Sequence, residues 1–136
     1  MIFIKMKKKI KILANGLIKK GDKFLLLKRN ENEIDGPGQW EFPGGLVEFG
    51  EDPQDGIIRE VKEETGLNAE VVSIYKILSK EYEKPDKKIH LIRIIYLLKT
   101  SDEKVKLNEI EHVEYKWLKK EEIKNLKTSD YLKELL

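Results

Sequence analysis

Between Ile89 and Lys99 the chain offers no polar face: Leu91, Ile92, Ile94, Ile95, Leu97 and Leu98 fall on both sides of a two-residue period. A strand of that kind has to be covered above and below, so it belongs in the middle of a sheet with a layer packed on each side. Helices for those layers can be read from local signals. Asp52 followed by Pro53 is a helix start, an N-cap acceptor with proline at the first helical position. Gly66 after Thr65 is a helix stop, and the predicted helix runs from Pro53 to Thr65. Short helical patterns follow at Lys120–Lys127 and Ser129–Leu136. The expected fold class is therefore α/β, a sandwich with helices on both faces of a sheet.

The remaining strands read as a hairpin, a meander and a late return. Ile10–Ile18 and Phe24–Leu27 flank a connection at Lys19–Lys23 with Gly21 in its turn. Asn30–Gln39, rich in Asn, Asp, Gly and Pro, is a loop. Trp40-Glu41-Phe42 alternates, Pro43-Gly44-Gly45 breaks it, and Leu46–Phe49 is a short strand. Ala69–Lys80 is joined to Ile89–Lys99 through a polar turn over Tyr82–Lys88, and Val113–Leu118 is the last strand. No repeat, low-complexity segment or linker divides the 136 residues, so 1–136 is read as a single domain.

Composition removes several classes. An apolar fraction of 40% against 38% charged residues excludes global disorder. The absence of cysteine excludes a disulfide scaffold, thiol catalysis and Cys-based zinc sites. No apolar run approaches the roughly 18 residues of a membrane span. In Met1-Ile-Phe-Ile-Lys5 the apolar stretch is too short for a signal peptide, and the charges follow it. A soluble cytoplasmic protein with no membrane partner is expected. The net charge of +2 gives no general pull toward nucleic acid. Lysine supplies 24 basic residues and arginine three, Arg29, Arg59 and Arg93, so each arginine is a candidate for a planar, bidentate task.

The chemistry concentrates on the predicted helix. Glu60, Glu63 and Glu64 stand at i, i+3 and i+4, which places three carboxylates within about 100° of arc. Like charges this close repel, and either solvent or a cation has to relieve them. Oxygen ligands at this spacing suit hard divalent ions such as Mg²⁺ or Mn²⁺. A solvated acidic face accounts for the same three residues, and the cluster alone leaves both readings open.

The longer spacing is more specific. Gly45, five residues, Glu51, seven residues, Arg59-Glu60-Val61, one residue, Glu63-Glu64, one residue, Gly66-Leu67 matches the Nudix box in full over 23 residues, 45–67. Trp40-Glu41-Phe42-Pro43-Gly44-Gly45 looks like the family's strand and turn into the box. Leu25-Leu26-Leu27-Lys28-Arg29 and Glu111–Leu118 are similar to its second and C-terminal strands. The chain thus resembles a small, MutT-like member of the Nudix hydrolase family.

That resemblance implies an α/β/α sandwich around a mixed β-sheet, with the box forming a catalytic loop–helix–loop. It also implies divalent-metal-dependent hydrolysis of a phosphoanhydride in a nucleoside diphosphate derivative. Glu60, Glu63 and Glu64 would be metal ligands, joined by the Gly44 carbonyl and by Glu111. Arg59 would hold Glu60, and Glu51 would brace the loop. Either Glu60 or Glu111 would act as general base. Gly56 stands where the family usually has alanine. Alanine there is expected to be neutral or stabilising by about 0.5–1 kcal/mol where packing permits, with no effect on the chemistry.

Substrate signals are thinner. Arg29 is the candidate for gripping a phosphate; a surface arginine at a strand end is the plainer account. Trp40, Phe42 and Tyr96 offer rings for a nucleobase, although strand aromatics are commonly core. Tyr82 lies 15 residues past Leu67, as a tyrosine does in diadenosine polyphosphate hydrolases, and equally reads as a hairpin-turn residue. Pro85 lies three residues beyond the proline position of ADP-ribose pyrophosphatases. The first choice is a (d)NTP pyrophosphohydrolase, with oxidised purine dNTPs in view, giving a monophosphate and pyrophosphate. ADP-ribose and diadenosine polyphosphates are the alternatives. From other classes, a nucleotide sensor lacks room for a DNA-binding module, and an RNA 5′-end hydrolase would rest on the short Lys5–Lys11 and Lys84–Lys88 clusters. His90 and His112 stand singly and are read as structural. A homodimer is left open, with no interface pattern to support it.

Overall fold

The computed structural model describes residues 6–33 and 36–135; the Met1–Lys5 start and Leu136 lie outside them. Seven strands form one mixed sheet: β1 (Lys7–Lys20), β2 (Lys23–Arg29), β3 (Trp40–Glu41), β4 (Gly44–Leu46), β5 (Glu70–Lys84), β6 (Lys87–Lys99) and β7 (His112–Lys119). Three helices complete the described residues: α1 (Pro53–Thr65), α2 (Lys120–Ile123) and α3 (Asp130–Leu135). The main path runs β3-β2-β1-β6-β5, with β4 paired to β1 and β7 paired to β2. Only β1 and β6 run parallel among the described pairs. The apolar run at Leu91–Leu98 accordingly lies between β1 and β5.

Side-chain alternation along the strands sorts the core into two layers. Ala14, Ile18, Leu25, Leu27, Tyr96 and Leu98 face α1, where they meet Ile57 and Val61. Leu17, Leu26, Ile95, Trp40 and Phe42 face the other way, against Ile123, Tyr131, Leu132 and Leu135 of α2 and α3. These are the helix layers that the two-sided apolar strand requires.

Most strands extend by one to four residues beyond the sequence reading, α2 stops at Ile123 instead of Lys127, and two differences have a clear physical reason. The short strand begins at Gly44 and ends at Leu46, instead of spanning Leu46–Phe49, because the glycines themselves pair with β1: Gly44 opposite Asn15 and Gly45 opposite Ala14. Gly44 holds φ 154° there, and a Cβ would overlap the Ala14 carbonyl oxygen, so only glycine fits. The polar turn over Tyr82–Lys88 contracts to Pro85-Asp86, since β5 and β6 stay paired to Lys84 and Lys87. Parallel register then sets Lys7 and Lys8 beside Lys87 and Lys88, joining most of the two lysine clusters at one end of the sheet.

Helix α1 has the expected bounds for the expected reasons. The Asp52 side chain accepts the Gln54 N–H at 2.8 Å. Gly66 adopts φ 75° and its N–H closes on the Lys62 carbonyl, an αL stop. Gly56 departs from expectation. It is buried, and a Cβ built on it would lie 2.9 Å from Glu51 Oε1 and 3.6 Å from Val47 Cγ2. The Glu51 carboxylate is itself pinned, accepting the Glu48 N–H at 3.0 Å and two bonds from Arg59. The glycine therefore touches the box machinery after all. Gly56→Ala is expected to leave Tm unchanged or a few degrees lower, displacement of Glu51 offsetting the gain of about 0.5–1 kcal/mol in helix propensity. A thermal melt that rises by several degrees would show that Glu51 yields without cost.

Candidate active site

The buried stripe of α1 runs Ile57, Val61, Glu64 and Thr65. Glu64 thus occupies the position after Val61 where the 3.6-residue period demands an apolar side chain, and its carboxylate is carried beneath the sheet. There Oε1 accepts the Gly44 N–H at 2.8 Å. Burial pushes the Glu64 carboxyl well above its ordinary value, the Gly44 N–H opposing this and the nearby charges of Glu41, Glu60 and Glu111 adding to it. Burial likewise raises Glu60, half-buried one turn earlier, against the restraining Arg59.

Arg59 organises the rest of the box. Nε and Nη2 reach the two oxygens of Glu51 at 2.8 and 3.0 Å, the bidentate fork suited to a guanidinium. Nη1 donates to Glu60 Oε1 at 3.0 Å and meets Glu63 at 3.3 Å. Nη2 also donates to the Leu46 carbonyl at 3.2 Å. The Arg59 hydrogen bonds, with help from the Glu48 N–H, hold the Glu51 carboxyl down at about 2. Arg59 stays charged throughout. One side chain thus ties the loop before α1 to two of the three helix glutamates.

Glu60, Glu63, Glu64 and Glu111 line one small cavity with His112. Glu63 is largely exposed there, whereas Glu64 and His112 are 7% and 1% exposed at the side chain. His112 was expected to be structural and isolated. Its Nε2 instead lies 3.0 Å from Glu41 Oε1, and its Nδ1 faces Glu64 Oε2 at 3.5 Å without a hydrogen-bond partner. With Nε2–H donated to Glu41, two lone-pair atoms confront each other at that gap. Ligand atoms of Glu64, Glu111 and His112 all come within 4.8 Å of one another. A cation fits such a set: crowded carboxylates, raised by burial and mutual repulsion, beside an orphaned buried nitrogen. No spacing could have linked His112 to Glu41 and Glu64, which lie 71 and 48 positions away.

The other sequence candidates separate. Arg29 lines the cleft next to these acids, with Nη1 on Glu41 Oε1 at 3.0 Å and Nη2 on Glu33 Oε2 at 3.3 Å. Tyr82 also lines that cleft, half-buried on β5. Trp40 and Phe42, 6% and 0% exposed, do not offer rings to a base. Both point into the core shared with α2 and α3, where Phe42 meets Phe24 edge-on at 6.5 Å between centroids. The outward residue between them is Glu41. Tyr96 is buried in the α1 layer. Asn15, Arg93 and Tyr131 are among the lining residues to which the sequence assigns no site role. The scarcity of arginine was the one signal that pointed to Arg93.

Comparison with known proteins agrees with this geometry. Residues 11–136 match the model of the NUDIX domain. An ADP-ribose pyrophosphatase of Methanocaldococcus jannaschii is 38% identical over 89 residues, covering 64% of this chain and 49% of that protein. An 8-oxo-dGTP diphosphatase of Escherichia coli is 36% identical over 84 residues, covering 62% and 63%. The chain therefore spans only about half to two thirds of the length of these relatives. The crystal structure of a MutT protein from Methanosarcina mazei Go1 superposes with a TM-score of 0.81 at 32% identity, covering 96% of this chain and 93% of that one. By its box, its fold and these matches, the chain belongs to the NUDIX family.

Proposed function

We propose that this protein is a divalent-metal-dependent pyrophosphohydrolase that converts a nucleoside triphosphate to a nucleoside monophosphate and pyrophosphate. One observation carries the reading: a single cleft of about 600 Å³ is lined both by Gly44, Gly45, Glu60 and Glu111 and by Tyr82, Leu91, Arg93 and Tyr131. That is the size of a small-molecule site, with acids for a metal and its phosphates, and rings and a cation for a base.

Nudix hydrolases generally need a divalent metal, and Mg²⁺ or Mn²⁺ suits the carboxylate-rich donor set here. Glu60, Glu64 and Glu111 would hold it, with Glu63 and the Gly44 carbonyl completing the set. When bound, the ion supplies positive charge against the phosphate oxygens. Arg59 keeps the Glu60 carboxylate aimed into the cavity. Water attacks phosphorus, the P–O bond to the pyrophosphate breaks, and the departing oxygen keeps the electron pair. Glu60 takes the water's proton, a role suited to a carboxyl whose affinity for protons burial has raised. Arg29, whose guanidinium lies between Glu41 and Glu33 in the lining of the cleft, would meet a phosphate there. A second reading, hydrolysis of ADP-ribose to AMP and ribose 5-phosphate, is favoured by the similarity to the Methanocaldococcus ADP-ribose pyrophosphatase.

Chromatography of products from dGTP, 8-oxo-dGTP, ADP-ribose and diadenosine tetraphosphate with Mg²⁺ decides between them. Monophosphate and pyrophosphate from the triphosphates are expected; AMP and ribose 5-phosphate as the dominant products would replace the first reading with the second. Glu64→Gln is expected to lower turnover by several orders of magnitude with the fold intact, and a near wild-type rate would overturn the metal assignment. Metal binding has its own readout. Mn²⁺ at a hundredfold excess over Kd is expected to stabilise the wild type by about 2.7 kcal/mol in thermal melts, and Glu64→Gln much less. Equal shifts in both would place the ion elsewhere.

A further inference from the structure

Arg93 is a half-buried arginine on the face of β6 that looks toward α3. Its Nη1 donates to Asn15 Oδ1 at 2.5 Å, and its guanidinium carbon stands 3.8 Å above the centre of the Tyr131 ring. Both supports are themselves anchored. Asn15 Nδ2 donates to the Phe42 and Pro43 carbonyls at 3.2 and 3.5 Å, and the Tyr131 hydroxyl accepts the Phe42 N–H at 3.2 Å. The segment that feeds Gly44 into the acidic site thus also fixes the orientation of Arg93.

A guanidinium has five N–H donors. Among the described residues, one acceptor is met, Asn15 Oδ1, and no carboxylate lies within ion-pair distance. The contact with Tyr131 engages the face of the cation, not its in-plane donors. Desolvation weakens the protonated state of Arg93, with only the longer-range fields of Tyr131 and Glu41 opposing. A purely structural arginine buried to this degree would be expected to find a carboxylate. Arg93 instead lines the cleft, with Leu91, Leu13 and Tyr82.

We propose that Arg93 is the specificity-determining residue of the cleft, reading a guanine base through two in-plane N–H donors on its O6 and N7 acceptors. The proposal rests on the nucleotide reading given above. The phosphates are assigned to the acidic residues, so the wall with Leu13, Leu91, Tyr82, Arg93 and Tyr131 falls to the base. Guanine offers O6 and N7 as adjacent acceptors matched to the guanidinium fork, whereas adenine puts an amino donor beside N7. 8-Oxoguanine carries a proton on N7 and loses the same match.

The test measures binding of dGMP, dAMP, 7-deaza-dGMP and 8-oxo-dGMP by calorimetry, with hydrolysis of the corresponding triphosphates followed in parallel. Wild type is expected to bind dGMP roughly ten- to a hundredfold more tightly than dAMP, and more tightly than 7-deaza-dGMP or 8-oxo-dGMP. Arg93→Lys should erase most of this preference. The 7-deaza comparison uses the wild-type protein, so it stands even where the variant folds poorly. Equal binding of dGMP and 7-deaza-dGMP, tighter binding of 8-oxo-dGMP, or a guanine preference unchanged in a folded Arg93→Lys protein would overturn the assignment. Guanine-selective binding without triphosphate hydrolysis would count against the proposed reaction alone, and hydrolysis indifferent to the base against Arg93 alone.

Discussion

The bond from the Gly44 N–H to Glu64 Oε1 fixes the relation of helix to sheet on which the site depends. It joins the C-terminal end of α1 to the first residue of β4, and it does so with a carboxylate buried at the foot of an apolar stripe. Such a group costs stability unless it is hydrogen-bonded and its charge is met. One oxygen is satisfied by the backbone; the other lies 3.5 Å from His112 Nδ1, in a group whose ligand atoms include Glu111. A divalent cation there would relieve the repulsion among the acids and the lone-pair conflict at His112 together, which links metal binding to stability.

Arg59 makes the arrangement stiff enough to be useful. Without it, Glu60 and Glu63 would turn outward to water, as like charges at helical spacing prefer. Its fork on Glu51 fastens the helix to the loop before it, and the loop is fastened in turn by the Glu48 N–H. The buried glycine at position 56 belongs to the same device, for the space beside it is taken by the Glu51 carboxylate. An alanine would serve helix propensity there and press on the brace.

What the sequence made readable was local. The bounds of α1 follow from Asp52-Pro53 and Thr65-Gly66, caps that act within one turn, and the layered fold follows from the two-sided apolar strand. The Glu51–Arg59–Glu60 spacing is short enough to be a motif. The interactions that escaped are long in sequence. His112 meets Glu41 and Glu64, and Arg93 meets Asn15, only because strands far apart in the chain are brought together. The start of β4 was displaced for a related reason: Pro43-Gly44-Gly45 looks like a break until β1 is present to pair with it. Trp40 and Phe42 were misplaced as base platforms because alternation tells which residues share a face, and not which face is covered.

The cleft itself comes from a mismatch of lengths. The six residues of α3 span about 9 Å at 1.5 Å per residue, and the 13 residues of β6 span about 43 Å at 3.3 Å each. Ile95 and its neighbours are roofed by α2 and α3, while on the same face Leu91 and Arg93, the latter against the Tyr131 ring of α3, line the cleft wall. On the proposed function, chemistry and selectivity would fall on different parts of the fold. The acids sit on a capped helix whose spacing any reader of the sequence can count. The wall proposed to face the base is assembled from distant elements, with Arg93 from β6, Asn15 from β1 and Tyr131 from α3. On that proposal, substitutions on the wall would alter which nucleotide is held without disturbing the Glu64–Gly44 bond, and one box could serve relatives named for different substrates.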